Sequence, residues 1–207
     1  MMMRTATAIG PRRRGPVLAL IGVLTLFLSG CGINTIPTLD EQAKAAWSQV
    51  LNQYQRRADL IPNLVETVKG AADFERETLE AVVQARSKVA QTQLPDNILT
   101  NEAAFKAFEQ NQSALSSALS RLLVVVERYP DLKANQNFLA LQSQLEGTEN
   151  RIAVARRDYI EAVRVYNTEL RTFPGRIWHW ILYSDSQPMQ TFTIAQEATQ
   201  APRVQFR

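Results

Sequence analysis

The sequence predicts an all-α protein: an elongated antiparallel four-helix bundle with long helices, followed by an extended C-terminal tail. Three observations predict it. Apolar residues recur at alternating spacings of three and four along four separate stretches, which is the period of one helix face. The breaks between stretches are short and rich in turn formers, as in Thr92-Gln93-Leu94-Pro95-Asp96-Asn97 and Tyr129-Pro130-Asp131. The 8 glycines and 9 prolines mostly sit at segment ends, and 45% hydrophobic with 21% charged residues is a globular balance.

The chain begins with something other than a bundle helix. Residues 1–16 are polar and basic, and Val17 to Ser29 is a continuous apolar run interrupted by one Gly and one Thr. A basic start, an apolar stretch of about 7–15 residues and a small-residue cleavage site make a secretory signal peptide. A membrane-spanning helix needs about 20 apolar residues, so this run is too short to be one. Leu28-Ser29-Gly30-Cys31 looks like a lipobox, with the chain's single cysteine at the required place. That resemblance implies that the Cys31 sulfur takes a diacylglyceryl group and that the Gly30–Cys31 bond is cut, leaving an amine open to acylation. Two or three acyl chains hold a protein stably to a bilayer at ~0.8 kcal/mol per buried CH₂, where one holds it only marginally. The alternative is an uncleaved signal anchor with an unmodified Cys31. In either case the arginines stay cytoplasmic and the rest of the chain faces outward. Gly32 stands where an Asp would signal inner-membrane retention of the enterobacterial kind.

The expected organisation is therefore a signal peptide over 1–30, a tether over 31–37, a bundle over 38–173 and a tail over 174–207. Removing Arg4, Arg12, Arg13 and Arg14 leaves 19 basic residues against 20 acidic ones, taking the formal charge from +3 to −1. A near-neutral mature domain has no electrostatic reason to bind nucleic acid, and no nucleic-acid partner is expected. With Cys31 and His179 each the only residue of its kind, no intramolecular disulfide is possible. A metal site would need mostly carboxylates. No metal or cofactor is expected.

Thr38-Leu39-Asp40-Glu41 has the form of a capping box opening the first helix. Its seam runs Ala43, Trp47, Val50, Tyr54, Arg57, Ile61, Leu64, Val68. Pro62 removes one backbone hydrogen bond and predicts a kink or short break near Leu60-Ile61, and Gly70 ends or loosens the segment. The second stretch covers about 73–91, with Phe74, Thr78, Ala81, Ala85 and Val89 on one face. The third covers about 101–128, with Phe105, Phe108, Gln112, Leu115, Leu119, Leu122 and Val126. The last covers about 135–172: Phe138, Leu141, Leu145, Thr148, Ile152, Ala155, Tyr159, Ala162, Tyr166 and Leu170, ended by Phe173-Pro174-Gly175. At 1.5 Å per residue this last helix exceeds roughly 50 Å, which calls for an elongated bundle with left-handed packing. The narrow seam also allows an intermolecular coiled coil, although several helices in one chain make self-packing simpler. In the tail, Trp178, Trp180, Ile181, Leu182 and Tyr183 crowd into six residues. They fit a membrane interface through Trp178, Trp180 and Tyr183, or, more plainly, a flap over the bundle end.

Long strings in the seams resemble the LemA family. They are Arg56-Arg57-Ala58-Asp59-Leu60-Ile61-Pro62-Asn63-Leu64-Val65, then Glu127 through Asn135 (ERYPDLKAN), then Leu145 through Tyr159 (LEGTENRIAVARRDY), with Ala201-Pro202-Arg203-Val204-Gln205-Phe206 as a closing motif. The resemblance covers about 38–173 continuously, plus the tail. It implies a four-helix antiparallel bundle tied to the envelope by an N-terminal segment, and it does not imply an enzymatic activity. Many members are expected to carry a spanning helix where this chain has a lipobox, and an Asn is expected where this chain has Ile160.

Arg57 falls on the first seam, so it must snorkel outward or meet a carboxylate such as Glu149 or Glu127. Such a pair would fix helix register or hold a ligand. Glu146, Glu149, Arg156, Arg157 and Asp158 alternate in sign along one helix, the pattern of a solvated face. No Glu-x-x-His pattern or Gly-rich phosphate loop is present, and with Cys31 spent on lipid and His179 in the tail no nucleophile triad is expected. The expectation is a non-enzymatic, lipid-anchored envelope protein. It would act as a scaffold or adaptor, presenting a helical face or the 92–100 loop to an envelope protein partner. The alternatives are a membrane-surface module and a binder of a small molecule or peptide in the bundle.

Overall fold

Each predicted seam folds into one helix. The structure is a computed structural model that describes residues 32–70 and 75–193. The signal peptide, the lipobox with Cys31, Phe74 and the closing motif lie outside the described residues. The helices are α1 Thr35–Lys69, α2 Arg76–Gln91, α3 Glu102–Val126, α4 Pro130–Lys133, α5 Gln136–Glu169 and α6 Gly175–Leu182. No strand occurs among the described residues. At 1.5 Å rise, α1 and α5 are each about 50 Å long, and they pack antiparallel along each other while α2 packs on α3.

The eight seam residues of α1 are all buried, as are the seven of α3. They sort into two apolar clusters stacked along the bundle. One, the upper cluster, gathers Trp47, Tyr54, Phe105, Phe108, Ile152 and Tyr159 near the start of α1. The other gathers Ile61, Leu64, Val82, Leu115, Leu122, Phe138 and Leu145 near its end. Side-chain amides start α3 and α5: Asn101 Oδ1 accepts from the Ala104 amide at 3.1 Å, and Asn135 Oδ1 accepts from Asn137 and Phe138 at 2.9 and 3.2 Å. On α2 the buried set includes Leu79 and Val82 besides the expected Thr78 and Ala85, while Ala81 and Val89 are only half-buried.

Three expectations require correction. The first helix starts at Thr35 with Asn34 as its cap, so the tether is shorter than 31–37. Thr38 is inside the helix, its hydroxyl donating back to the Asn34 carbonyl at 2.8 Å. The extension buries Ile36, and Pro37 is tolerated because it lies in the first turn. The tail is not wholly extended either, since 175–182 form α6 and place His179 in a helix.

The third correction concerns Pro62, through which α1 runs unbroken. Proline leaves the carbonyl four residues earlier, that of Ala58, without its helical donor. Arg86 of α2 supplies one: its Nε donates to the Ala58 oxygen at 3.1 Å. The proline thus becomes a latch between two helices. A hydrogen bond from a charged group contributes about 1.5–3 kcal/mol, so Arg86→Met is expected to cost about 1.5 kcal/mol in urea unfolding. The same change made in Pro62→Ala, where Ala58 regains an intrahelical partner, is expected to cost much less. Equal costs in both backgrounds would rule the latch out.

After α6 the chain doubles back as a strap along α5. Tyr159 Oη donates to the Gln190 carbonyl at 2.7 Å and Tyr166 Oη to that of Gln187 at 3.3 Å. Asn167 pairs with both backbone groups of Met189, at 2.9 Å each. Gln190 N–H donates to the Leu99 carbonyl at 2.6 Å, tying the strap to the 92–101 loop. Phe192 then enters the upper cluster against Trp47, Phe105 and Tyr159.

Candidate functional site

Between the two apolar clusters lies one polar layer, centred on Arg57. The residue follows Tyr54 and precedes Ile61 in the α1 seam, and it is 1% exposed. At the same level α3 places Gln112 between Phe108 and Leu115, and α5 places Thr148 and Glu149 between Leu145 and Ile152. Arg57 Nη1 donates to Ser116 Oγ at 2.6 Å and to Glu149 Oε1 at 2.8 Å. Its Nη2 donates to Gln112 Oε1 at 2.6 Å and to the Gln112 carbonyl at 3.3 Å. Nε is buried with no acceptor, and the guanidinium carbon lies 5.1 Å over the Tyr54 ring. One side chain therefore holds three helices in a single register.

The charge partner is less deeply placed than the arginine, the Glu149 side chain being 46% exposed. Water reaches that carboxylate, so the attraction is worth less than that of a fully buried pair. Thr148 completes the layer, donating to the Gln144 carbonyl at 2.7 Å and accepting from Arg151 Nη2 at 2.9 Å. Burial pushes the phenols of Tyr54, Tyr159 and Tyr166 up from their ordinary value, so all three are neutral at physiological pH.

A cleft of about 540 Å³ opens on this layer between α3 and α5, with Lys106, Glu109, Glu149, Arg156 and Phe192 in its walls. The Arg156 guanidinium lies 4.3 Å over the Phe192 ring, and Glu109 accepts the Thr193 amide at 3.2 Å. None of the described lining residues is a histidine or cysteine. What the cleft offers chemically is charge of both signs beside the rings of Tyr54 and Phe192.

Glu127 stays away from Arg57, contrary to one of the two pairings anticipated. It caps the C-terminus of α3, fifteen positions and about 22 Å beyond the Gln112 level, and it pairs with Lys133 instead. The tail aromatics differ in exposure. Trp178 and Tyr183 are half-buried against the upper cluster, covering the bundle end. Trp180 is 80% exposed and turns away from it. Ile160 lies on the outer side of α5, partly exposed.

The strings that run through this layer and strap lie inside a known family pattern, which matches residues 46–206 and is described as LemA. The chain belongs to the LemA family. Among its relatives, magnetosome protein MamQ 2 of Paramagnetospirillum magneticum is 29% identical over 197 residues, covering 84% of this chain and 71% of the relative. Magnetosome protein MamQ of Magnetospirillum gryphiswaldense is 28% identical over 190 residues, covering 79% and 69%. Protein LemA of Metamycoplasma hominis is 29% identical over 119 residues, covering 58% and 50%. The LemA match takes in the Arg57 layer, the cleft and the strap, and it begins after the lipobox.

Gln112 and Ser116 were not anticipated as partners of Arg57. A signal existed for the first: Gln112 is the single polar residue in the α3 seam, as Arg57 is in that of α1. Ser116 carries no such mark. The strap was also missed, its apolar residues Met189 and Phe192 being too few to set a period.

Proposed function

We propose that this LemA family protein is a non-enzymatic, lipid-anchored scaffold or adaptor of the bacterial cell envelope, outside the cytoplasm. The observation that carries the reading is where the rod starts. Only Gly32, Ile33 and Asn34 separate Cys31 from α1, so the roughly 50 Å bundle rises directly from the proposed lipid. The polar groups of the layer support a structural role, since both terminal nitrogens of Arg57 are engaged by neighbouring helices. No helix among the described residues is long and apolar enough to cross a membrane.

The anchor is tested by the intact mass and N-terminal peptide of protein extracted from its native membrane. The expected result is a chain starting at Cys31 with the added mass of two or three acyl groups. A full-length chain with an unmodified Cys31 would instead make residues 17–30 a signal anchor. The scaffold reading is tested by crosslinking in native membranes, where recovery of no reproducible protein partner counts against it.

A second reading has the cleft beside Arg57 in its favour. Each wall carries both signs, Lys106 and Glu109 on α3 and Glu149 and Arg156 on α5, with Arg156 reaching Glu109 at 4.0 Å, a pattern suited to a peptide or another ligand bearing both charges. Failure of such ligands to raise the melting temperature, or to shift the Phe192 ring signals in NMR, would leave the cleft a structural gap.

A further inference from the structure

The α6 helix has two unlike faces. Toward the bundle it presents Gly175, which is buried, and Trp178, which packs on the upper cluster. The approach at Gly175 is so close that a Cβ there would collide with the Glu169 carbonyl oxygen, so only glycine lets α6 fold back on the end of α5. The outer side carries Ile177, Trp180 and Ile181, all exposed, with Leu182 exposed at the helix end and Phe173 81% exposed just before the helix. Within the helix, Ile177 and Trp180–Ile181 share one face by their three–four spacing, and Phe173 precedes it. The other large exposed apolar residues, such as Val83, Val124 and Val154, are spread over separate helices. A soluble protein rarely leaves so dense an apolar group uncovered without a surface to place it on.

Two further observations say what that surface is. The first is position: Gly32, one residue after Cys31, lies against α6, with its Cβ site 3.6 Å from Trp178 Nε1 and 3.7 Å from Pro174 Cγ. Its φ of 104° turns the chain into α1 at that point. The described chain therefore starts at the end of the bundle that carries α6, one residue after Cys31 in the sequence. The second is charge. Between Glu169 and Asp185 the sequence has the cations Arg171 and Arg176, with His179, and no acidic residue. The three line a cleft with Ile177 and Trp180. Tryptophan beside arginine and aliphatic side chains is the composition of a membrane–water boundary.

We propose that the outer face of Phe173–Leu182 docks on the same bilayer that holds the N-terminal anchor. Trp180, Ile177 and Ile181 enter the interfacial layer, and Arg171 and Arg176 meet anionic headgroups. The inference rests on the anchored reading above, and it deepens it. A lipid alone leaves the rod free to swing, while a lipid with an interfacial helix beside it fixes the rod's direction. The opposite end, with Glu127, Lys133 and the α3–α5 turn, is then held roughly 50 Å along α1 from the bilayer.

The test uses the full chain reconstituted into vesicles of phosphatidylcholine and phosphatidylglycerol, the former brominated on its acyl chains. Tryptophan emission is expected to shift to the blue and to be quenched, and Trp180→Ser is expected to lose most of that quenching with an unchanged circular dichroism melt. An unquenched wild type, or a Trp180→Ser variant quenched as strongly, overturns the docking. Vesicles lacking phosphatidylglycerol are expected to quench less, and equal quenching in both overturns the headgroup role of Arg171 and Arg176. The anchor fails separately. An uncut, unlipidated chain with quenched Trp180 overturns the lipoprotein and leaves the docking, and a lipidated chain with unquenched Trp180 does the reverse.

Discussion

Trp47→Ala is expected to lower the stability of the bundle by about 4 kcal/mol, the middle of the range for truncating a buried Trp. In a domain of this size that is a fall in Tm of roughly 10 °C. The magnitude follows from what the indole touches. Its ring centroid lies 5.6 Å from Phe105 and 5.2 Å from Phe108 on α3, 5.3 Å from Tyr159 on α5 and 6.0 Å from Phe192 on the strap. Three helices and the strap therefore meet on one side chain of α1. The rings around it are held by each other and by Tyr159's bond to Gln190, so they cannot collapse into the gap, and a cavity adds to the lost burial. Loosening of Phe192 should follow, read as faster amide exchange at Gln190 and Thr193 than in the rest of the upper cluster. Thermal unfolding followed by circular dichroism checks the size. A loss under about 1 kcal/mol, typical of an ordinary substitution, would mean the aromatic cluster is not packed as described.

How far the sequence foretold this arrangement depends on whether the deciding contact is local. The seams of α1 and α3 were legible residue by residue, because a three–four spacing fixes which side chains share a face whatever the neighbour is. The buried Arg57 was legible for the same reason, and so was its need for a carboxylate. Glu149 and Glu127 were not separable, since the choice depends on the registers of α3 and α5 against α1. Pro62 misled because the rule it obeys is local and the remedy is not: the donor for the Ala58 carbonyl comes from Arg86, on another helix. Thr38-Glu41 misled because a plausible cap lost to the burial of Ile36 one turn earlier. The strap was illegible in principle. Its hold lies in the hydroxyls of Tyr159 and Tyr166 and in Asn167 accepting from and donating to its backbone, and backbone groups leave no mark in the sequence.

Removing Glu149 separates the two accounts of the polar layer. Glu149→Ala is expected to cost about 3 kcal/mol, the low end for breaking a buried ion pair, because the Arg57 cation stays 1% exposed without its counter-charge. Gln112 and Ser116 still accept its hydrogen bonds, and water in the cleft screens part of the loss, which is why the upper end is not expected. A cost within about 1 kcal/mol would instead place the pair with ordinary surface salt bridges. The triple change Arg57→Met, Gln112→Leu, Glu149→Ala makes the opposite prediction. It removes the cation, the amide and the carboxylate together, leaving no buried charge to desolvate, and it joins the two apolar clusters. Its urea midpoint is expected at or above that of the wild type. Without the layer, however, nothing specific opposes a slip of α5 along α1 by one helical turn, since the seams above and below are both apolar. The slip would show as doubled NMR signals for Thr148 and Ile152 in the triple variant and single ones in the wild type. A triple variant that is both stable and single-valued would leave Arg57 without a role in register, and would return the cleft beside it to consideration as the reason the charge is there.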